Sequence, residues 1–138
     1  MKTPTISIYV ILFLFLGLSC ANEMVQDSES HLDDIVYGTW EIRQQKSTLL
    51  FQNEAWNDLN PPYATYSFFS ERDSFSLVLG NGSVLSAGQF EVSVTDSLIT
   101  FFPRFGMQTY EVTYFDENQI DLFIDTDEGS EGRRLVRR

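Results

Sequence analysis

The stretch Tyr37-Gly38-Thr39-Trp40-Glu41-Ile42 decides the fold of this chain. It follows an acidic, polar run and is the first segment beyond it that carries aromatic, β-branched and aliphatic residues in the manner of a half-buried strand. Trp40 is the largest side chain in it. Because an indole ring brings a large apolar area into a core, we expect the strands that follow to assemble around this residue.

Six short segments downstream repeat the strand pattern, and several of them alternate apolar and polar residues with period two. Phe90, Val92 and Val94, for example, fall on one face of their segment, with polar residues on the other. One solvent-exposed face and one buried face are typical of antiparallel sheets. The six segments are 63–69, 75–79, 90–94, 98–102, 110–114 and 120–124, and with 37–44 and 133–138 they make eight predicted strands.

The connections between these segments are short, with one exception. Asn81-Gly82 permits the positive φ of a tight hairpin. The stretch 51–59 departs from the strand rhythm, because Ala55, Trp56 and Leu59 fall at helix-like spacing. We therefore predict an all-β domain with a short helix in its first long loop.

The amino-terminal residues have the layout of a secretory signal peptide, with Lys2 followed by an apolar run from Ile6 to Leu18. This run is shorter than the roughly 20 residues that a helix needs to cross a bilayer. Cys20 is the only cysteine, and it ends the sequence Leu16-Gly17-Leu18-Ser19-Cys20, which resembles the lipobox of bacterial lipoproteins. The resemblance implies cleavage before Cys20 and acylation of its thiol and of the new amino terminus.

We therefore predict three parts of the chain. Residues 1–19 are a lipoprotein signal peptide, residues 20–34 a flexible acidic tether, and residues 35–138 the folded domain. More than one acyl chain gives firm anchoring, so we expect a membrane protein of the bacterial cell envelope, held by its lipid in the outer membrane. An uncleaved anchor, or a cleaved protein without lipid, is the alternative interpretation.

The net charge of −11 at pH 7 restricts the partners of this protein. Nucleic-acid binding needs a basic surface that displaces counterions from phosphates, so it is excluded. The single histidine, His31, lies in the predicted tether, and no thiol stays free after lipidation. Because no catalytic triad and no zinc-binding cluster can be assembled from these residues, we predict that the protein is not an enzyme and has no cofactor and no metal site.

One acidic segment leaves a question about calcium open. Residues 125–131 place oxygen-bearing side chains at alternate positions, but the glycine is fifth and the twelfth residue is Val136. An EF-hand loop needs glycine at the sixth position and glutamate at the twelfth. An exposed acidic hairpin loop is the favoured interpretation.

Gly38-Thr39-Trp40 resembles the Gly-x-Trp motif of the lipocalins, and the closer likeness is to the lipocalin-like domains of bacterial envelope lipoproteins. Tyr66-Ser67-Phe68 and the closing Leu135-Val136-Arg137 are also similar to these domains. The resemblance covers residues 36–138 and implies a small antiparallel up-and-down barrel of about eight strands. It further implies that Trp40 plugs the closed end, with a basic residue of the last strand lying across its ring.

Alternation along the last strand selects that basic residue. Leu135 and Arg137 share a face, so if Leu135 points inward, Arg137 is the residue that meets Trp40. We therefore predict a plug formed by Gly38, Trp40 and Arg137. A cation over a shielded indole ring contributes up to about 2 kcal/mol.

The interior of an eight-stranded barrel holds either its own side chains or one small ligand. Alternation predicts seven inward aromatic rings, so we expect a narrow cavity near one mouth: Tyr66, Phe68, Phe75, Phe90, Phe102, Tyr110 and Tyr114. Phe51, Trp56 and Leu59 on the long connection are candidate lid residues. The plain alternative is that this connection packs over the barrel end for stability alone.

Two functions follow from these predictions. The leading hypothesis is a lipid-anchored envelope lipoprotein whose barrel binds a small hydrophobic ligand. Its candidate ligand-binding residues are Phe51, Trp56, Leu59, Tyr66, Phe68, Phe75, Phe90, Tyr110 and Tyr114. The alternative is a structural or interaction lipoprotein with a filled barrel, which contacts an envelope partner protein and binds no small molecule.

Overall fold

The computed structural model describes residues 31–48 and 53–138. Within these ranges the chain forms one short α-helix, nine β-strands and a 3₁₀ turn at Glu71–Asp73. The elements are α1 Leu32–Ile35, β1 Gly38–Ser47, β2 Asn53–Asp58, β3 Thr65–Phe69, β4 Ser74–Val78, β5 Val84–Ser93, β6 Leu98–Pro103, β7 Gln108–Phe115, β8 Gln119–Thr126 and β9 Gly129–Arg137. No helix in these two ranges combines the length and the hydropathy needed to cross a bilayer. The predicted signal peptide, Cys20 and Phe51 lie outside the described residues.

Eight of the strands close into an antiparallel barrel. Each strand from β3 to β9 pairs with the next, and β1 pairs with both β3 and β9. The remaining strand, β2, pairs with the second half of β1, beyond the end of β3. The prediction of a small antiparallel barrel is therefore confirmed.

The core lies inside this barrel and is dominated by aromatic rings. The ring centroid of Phe101 lies 4.7 Å from that of Phe75 and 5.7 Å from that of Tyr110, both edge to face. Each such contact adds about 0.5–1.5 kcal/mol beyond the burial of its area. The buried apolar side chains of the barrel strands are Trp40, Ile42, Tyr66, Phe68, Phe75, Leu77, Phe90, Ile99, Phe101, Tyr110, Val112, Ile120, Leu122 and Leu135.

The folded domain begins earlier than the predicted boundary at residue 35. Leu32–Ile35 forms α1, in which Leu32 and Ile35 are buried while Asp33 and Asp34 are exposed. The helix therefore sets its apolar side chains, spaced by three residues, into the core at the barrel end. The acidic composition of the predicted tether hid this spacing. The part of the tether that precedes residue 31 lies outside the described residues.

The segment predicted to contain a helix forms the strand β2 instead. Its backbone pairs with β1, with Gln44 opposite Asp58 and Gln45 opposite Asn57. β1 continues past the end of β3, so its backbone groups there need partners, and β2 supplies them. This long-range pairing outweighs the helix-like spacing of Ala55, Trp56 and Leu59, and the short helix of the described residues lies ahead of β1.

Two residues predicted to line the lumen point outward instead. In β6, Phe102 is 37% exposed whereas its neighbour Phe101 is 2% exposed. Both alternating sets of β6 contain large apolar residues, so alternation alone could not choose between them. Tyr114 is 48% exposed because a β-bulge lies between Val112 and Tyr114 and shifts the alternation of β7.

Candidate functional site

One end of the barrel is closed by Trp40. Its side chain is fully buried, and its Nε1 donates a hydrogen bond to the Val36 carbonyl oxygen at 2.8 Å. The guanidinium carbon of Arg137 lies 4.2 Å from the centroid of the Trp40 ring, as the sequence predicts. The indole is therefore held from two sides, by the segment before β1 and by the end of β9.

Gly38 makes room for this arrangement. Its φ of +128° lies in the region that favours glycine, and a Cβ at this position would lie 2.8 Å from Nη1 of Arg137. Any side chain here would therefore meet the guanidinium that covers Trp40. The positive φ is therefore what favours glycine most strongly at this position.

The opposite end of the barrel contains an open cavity of about 760 Å³. It lies where β4 and β6 end and where β5 and β7 begin. Its floor includes Tyr66, Phe75 and Phe101 from the aromatic core, together with Arg133 from β9. Its rim includes the apolar side chains of Val84, Leu85 and Phe105. We call this space the mouth cavity.

Arg133 is the polar centre of the mouth cavity floor. Its Nε donates to Oε1 of Glu131 at 2.7 Å, and its Nη1 donates to the Tyr66 hydroxyl at 2.5 Å. Its guanidinium carbon also lies 5.5 Å from the ring centroid of Tyr110. The guanidinium thus rests on the aromatic core, with one carboxylate and one hydroxyl as its protein partners.

Burial sets the protonation of the two tyrosines beside this guanidinium. It raises the pKa of the Tyr66 hydroxyl, against the opposing effect of Arg133. It also raises the pKa of the Tyr110 hydroxyl to about 12, again against Arg133. Both hydroxyls are therefore neutral at physiological pH, and the positive charge of Arg133 is balanced by Glu131 alone among these partners.

The candidate ligand-binding residues are distributed over three places. Tyr66 and Phe75 line the mouth cavity, whereas Phe68, Phe90 and Tyr110 are buried in the core and do not line it. Tyr114 is exposed on the outer face of β7, as described above. Arg133 and Arg104, which do line the cavity, were missed as ligand contacts. The available signal was alternation, because Arg133 shares its face of β9 with the inward Leu135.

The predicted lid residues do not cover the mouth cavity in the described structure. Trp56 lies on the outer wall of the barrel, with Nζ of Lys46 at 5.0 Å from its ring centroid and Cζ of Arg134 at 4.5 Å. Trp56 lies there because β2 pairs with β1, and its side chain stands on the same outer face of the sheet as that of Lys46. Leu59 packs against the core, and Phe51 lies outside the described residues. The prediction that Trp56 and Leu59 form a lid is therefore wrong.

The acidic segment at residues 125–131 is a tight β-hairpin. Thr126 at the end of β8 pairs directly with Gly129 at the start of β9, which leaves two residues in the turn. The carboxylate of Glu131 is engaged with Arg133, as described above. In the two described ranges, no group of three or more His, Cys, Asp and Glu side chains is arranged to hold a metal ion.

Comparison with known proteins supports the fold. No protein-family model and no curated protein matches the chain. Among solved structures, the chain is similar to a lipocalin-like protein from Bacteroides uniformis, with 15% identity over 74% of this chain and 97% of that chain, and a TM-score of 0.52. It is also similar to an uncharacterized protein from Bacteroides eggerthii, with 14% identity over 72% of this chain and 98% of that one, and a TM-score of 0.49. The first likeness identifies the fold as lipocalin-like.

Proposed function

We propose that this protein is a lipid-anchored envelope lipoprotein whose lipocalin-like barrel binds a small, largely apolar molecule at its open mouth. The observation that carries the proposal is the mouth cavity of about 760 Å³ at the end opposite Trp40. This volume lies in the range of about 300–1,000 Å³ typical of ligand pockets. Because aromatic side chains fill the lumen below, the ligand sits at the mouth.

Three apolar side chains at the rim of the mouth cavity are exposed. Val84 is 64% exposed, Leu85 61% and Phe105 82%. A cluster of apolar side chains at one end of a domain is typical of a surface that contacts a ligand or a partner. The same rim therefore favours the second candidate function, in which a filled barrel contacts an envelope partner protein and takes up no small molecule.

A pair of matched substitutions tests ligand binding. Ser86 pairs with the inward Leu77 and lines the mouth cavity, whereas Ser76 stands between the buried Phe75 and Leu77 and therefore on the outward face of β4. Ser86→Phe should therefore fill the cavity, and Ser76→Phe adds the same side chain to the outer wall. The measurement is mass spectrometry of organic extracts from the three natively purified full-length proteins.

We expect one reproducible small molecule in the extracts of the wild type and of Ser76→Phe, and its loss from Ser86→Phe. Wild-type protein that carries no molecule, with unchanged extracts for both variants, would favour the partner-binding alternative. Retention of the molecule by Ser86→Phe would place its site elsewhere on the protein.

The anchor is supported by the order of the signal peptide and the lipobox-like sequence that ends at Cys20. Labelling of growing bacterial cells with a radioactive fatty acid, followed by membrane fractionation, tests it. We expect label on the wild type in the outer-membrane fraction, and loss of both label and membrane association in Cys20→Ser. Acyl label retained by Cys20→Ser would contradict the proposal.

A further inference from the structure

We infer that the ligand of the mouth cavity is an anionic amphiphile, with an apolar body and a carboxylate or similar anionic end that binds Arg133. This inference rests on the proposed function and adds to it the charge of the ligand and its orientation. The anionic end lies at the cavity floor, and the apolar body extends toward the rim.

The distribution of charge is the first argument. The chain has 20 acidic and 9 basic residues. The lining of the mouth cavity reverses this balance, since it contains Arg104 and Arg133 and no carboxylate from the described residues. Three other grooves of the described surface each include acidic side chains: Glu71 with Arg72 in one, Glu41 with Arg43 and Arg138 in another, and Asp33, Asp73 and Glu91 without a basic residue in the third. Glu131 balances the charge of Arg133, so Arg104 leaves the cavity with an excess of positive charge on an acidic protein, which favours anions at that place.

The second argument is the unused donor capacity of Arg133. A guanidinium has five N–H donors, and the described residues accept from Nε and Nη1, through Glu131 and Tyr66. Nη2 makes no hydrogen bond with any described residue. Every fully buried polar side-chain atom of the described part has a partner, so Nη2 has to be open to solvent. Since Arg133 lines the mouth cavity, Nη2 is available to a ligand there.

The third argument excludes a wholly apolar ligand. Such a molecule would displace water from Nη2 and leave charged donors without an acceptor, which costs the desolvation free energy of a charged group. A carboxylate oxygen replaces that water with a charge-assisted hydrogen bond. The apolar body of the same ligand then covers Leu77 and the rim residues Val84, Leu85 and Phe105, which all line the cavity.

Titration calorimetry of the purified full chain with decanoate and with 1-decanol tests the inference, because the two probes share an alkyl chain and differ in charge. We expect decanoate to bind the wild type more tightly than 1-decanol by about tenfold. Arg133→Gln should abolish this preference. Glu131→Gln removes the internal counterion of Arg133 and should increase the preference, with 1-decanol affinity unchanged.

Arg43→Gln is the matched control, since it makes the same change of charge in another groove. There Arg43 forms an ion pair with Glu41 at 2.6 Å. The control should keep the wild-type affinities for both probes.

The outcomes separate the two claims. Equal affinity of the wild type for decanoate and 1-decanol would overturn the inference and leave ligand binding at the mouth intact. Binding of neither probe would overturn the proposed function and the inference with it. If Arg133→Gln fails to fold, Glu131→Gln carries the test, and an unchanged preference in that variant would overturn the inference.

Discussion

Arg137 bonds two separate segments of chain at the closed end of the barrel, the segment before β1 and the turn between β7 and β8. Its Nε donates to the Glu117 carbonyl oxygen at 2.6 Å, its Nη1 to that of Tyr37 at 3.2 Å, and its Nη2 to that of Ile35 at 2.8 Å. The same planar group covers Trp40. Only a fork of fixed N–H donors can bond three carbonyls while it stacks on a ring, so arginine is needed here and another cation is not sufficient.

Arg137→Lys should therefore lower the free energy of unfolding by about 1–2 kcal/mol, because lysine keeps the charge but loses the three-way bonding and the flat stack. The matched control is Arg138→Lys, at the next residue, where the side chain is 69% exposed. Its effect should stay within about 0.5 kcal/mol. Urea denaturation followed by tryptophan fluorescence measures both, and a loss for Arg137→Lys as small as that for Arg138→Lys would show that the positive charge alone is enough for the plug.

At the scale of single residues, alternation succeeded where one face of a strand is clearly apolar. It predicted that Arg137 meets Trp40 if Leu135 points inward, and in the structure Leu135 is buried and Arg137 lies over the Trp40 ring. It failed at Phe102, where both faces of β6 carry large apolar side chains. It also failed at Tyr114, because the bulge in β7 depends on pairing with β8 and leaves no local mark in the sequence.

Among the elements, β2 is the strand outside the closed barrel. It pairs with a single strand, and Trp56 fixes it to the outer wall between Lys46 and Arg134. Arg134 is itself held by Asp121, with hydrogen bonds of 2.9 Å and 2.7 Å to the two carboxylate oxygens. This chain of contacts ties β2 to β8 across β1 and β9.

Trp56→Ala should therefore release β2 while the barrel stays folded. The expected result is faster hydrogen exchange at the amides of β2, with little change at those of β6 and β7, since local opening needs less free energy than global unfolding. Tyr63→Ala is the control, because it removes a similar contact, that of Arg43 at 4.2 Å from the Tyr63 ring centroid, outside β2. A uniform rise in exchange across all strands after Trp56→Ala would contradict a local role.

β2 could not be predicted from the sequence because some of the residues that stabilise it lie far away in the chain. Locally, Ala55, Trp56 and Leu59 have helix-like spacing. What decides the outcome is the free edge of β1 and the cations on Lys46 and Arg134, which become neighbours only when the barrel closes. α1 was missed for a local reason, because its two buried apolar residues, Leu32 and Ile35, stand among acidic residues in the sequence.

At the scale of the whole molecule, closure of the barrel gives each of its strands one face toward the filled interior and one face toward the outer wall. The predicted narrow cavity near one mouth follows from this division, because aromatic rings occupy the lumen between Trp40 and the mouth. Tyr66 and Phe75 at its floor were predicted. Arg133 shares the inward face of β9 with Leu135, and its partner Glu131 stands two residues before it on the same strand, but its contact with the Tyr66 hydroxyl on β3 could not be inferred from spacing alone.

Phe101 and Phe102 give a direct test of this division, because they are adjacent and identical in type. Phe101 is 2% exposed and packs at the junction of the aromatic core and the mouth cavity, whereas Phe102 is 37% exposed on the outer wall. Phe101→Ala should lower the free energy of unfolding by about 3–5 kcal/mol, through lost burial and the void that it leaves. Phe102→Ala should cost at most about 1 kcal/mol. Urea denaturation of both variants measures the difference, and similar losses would mean that β6 does not present opposite faces to the lumen and the solvent.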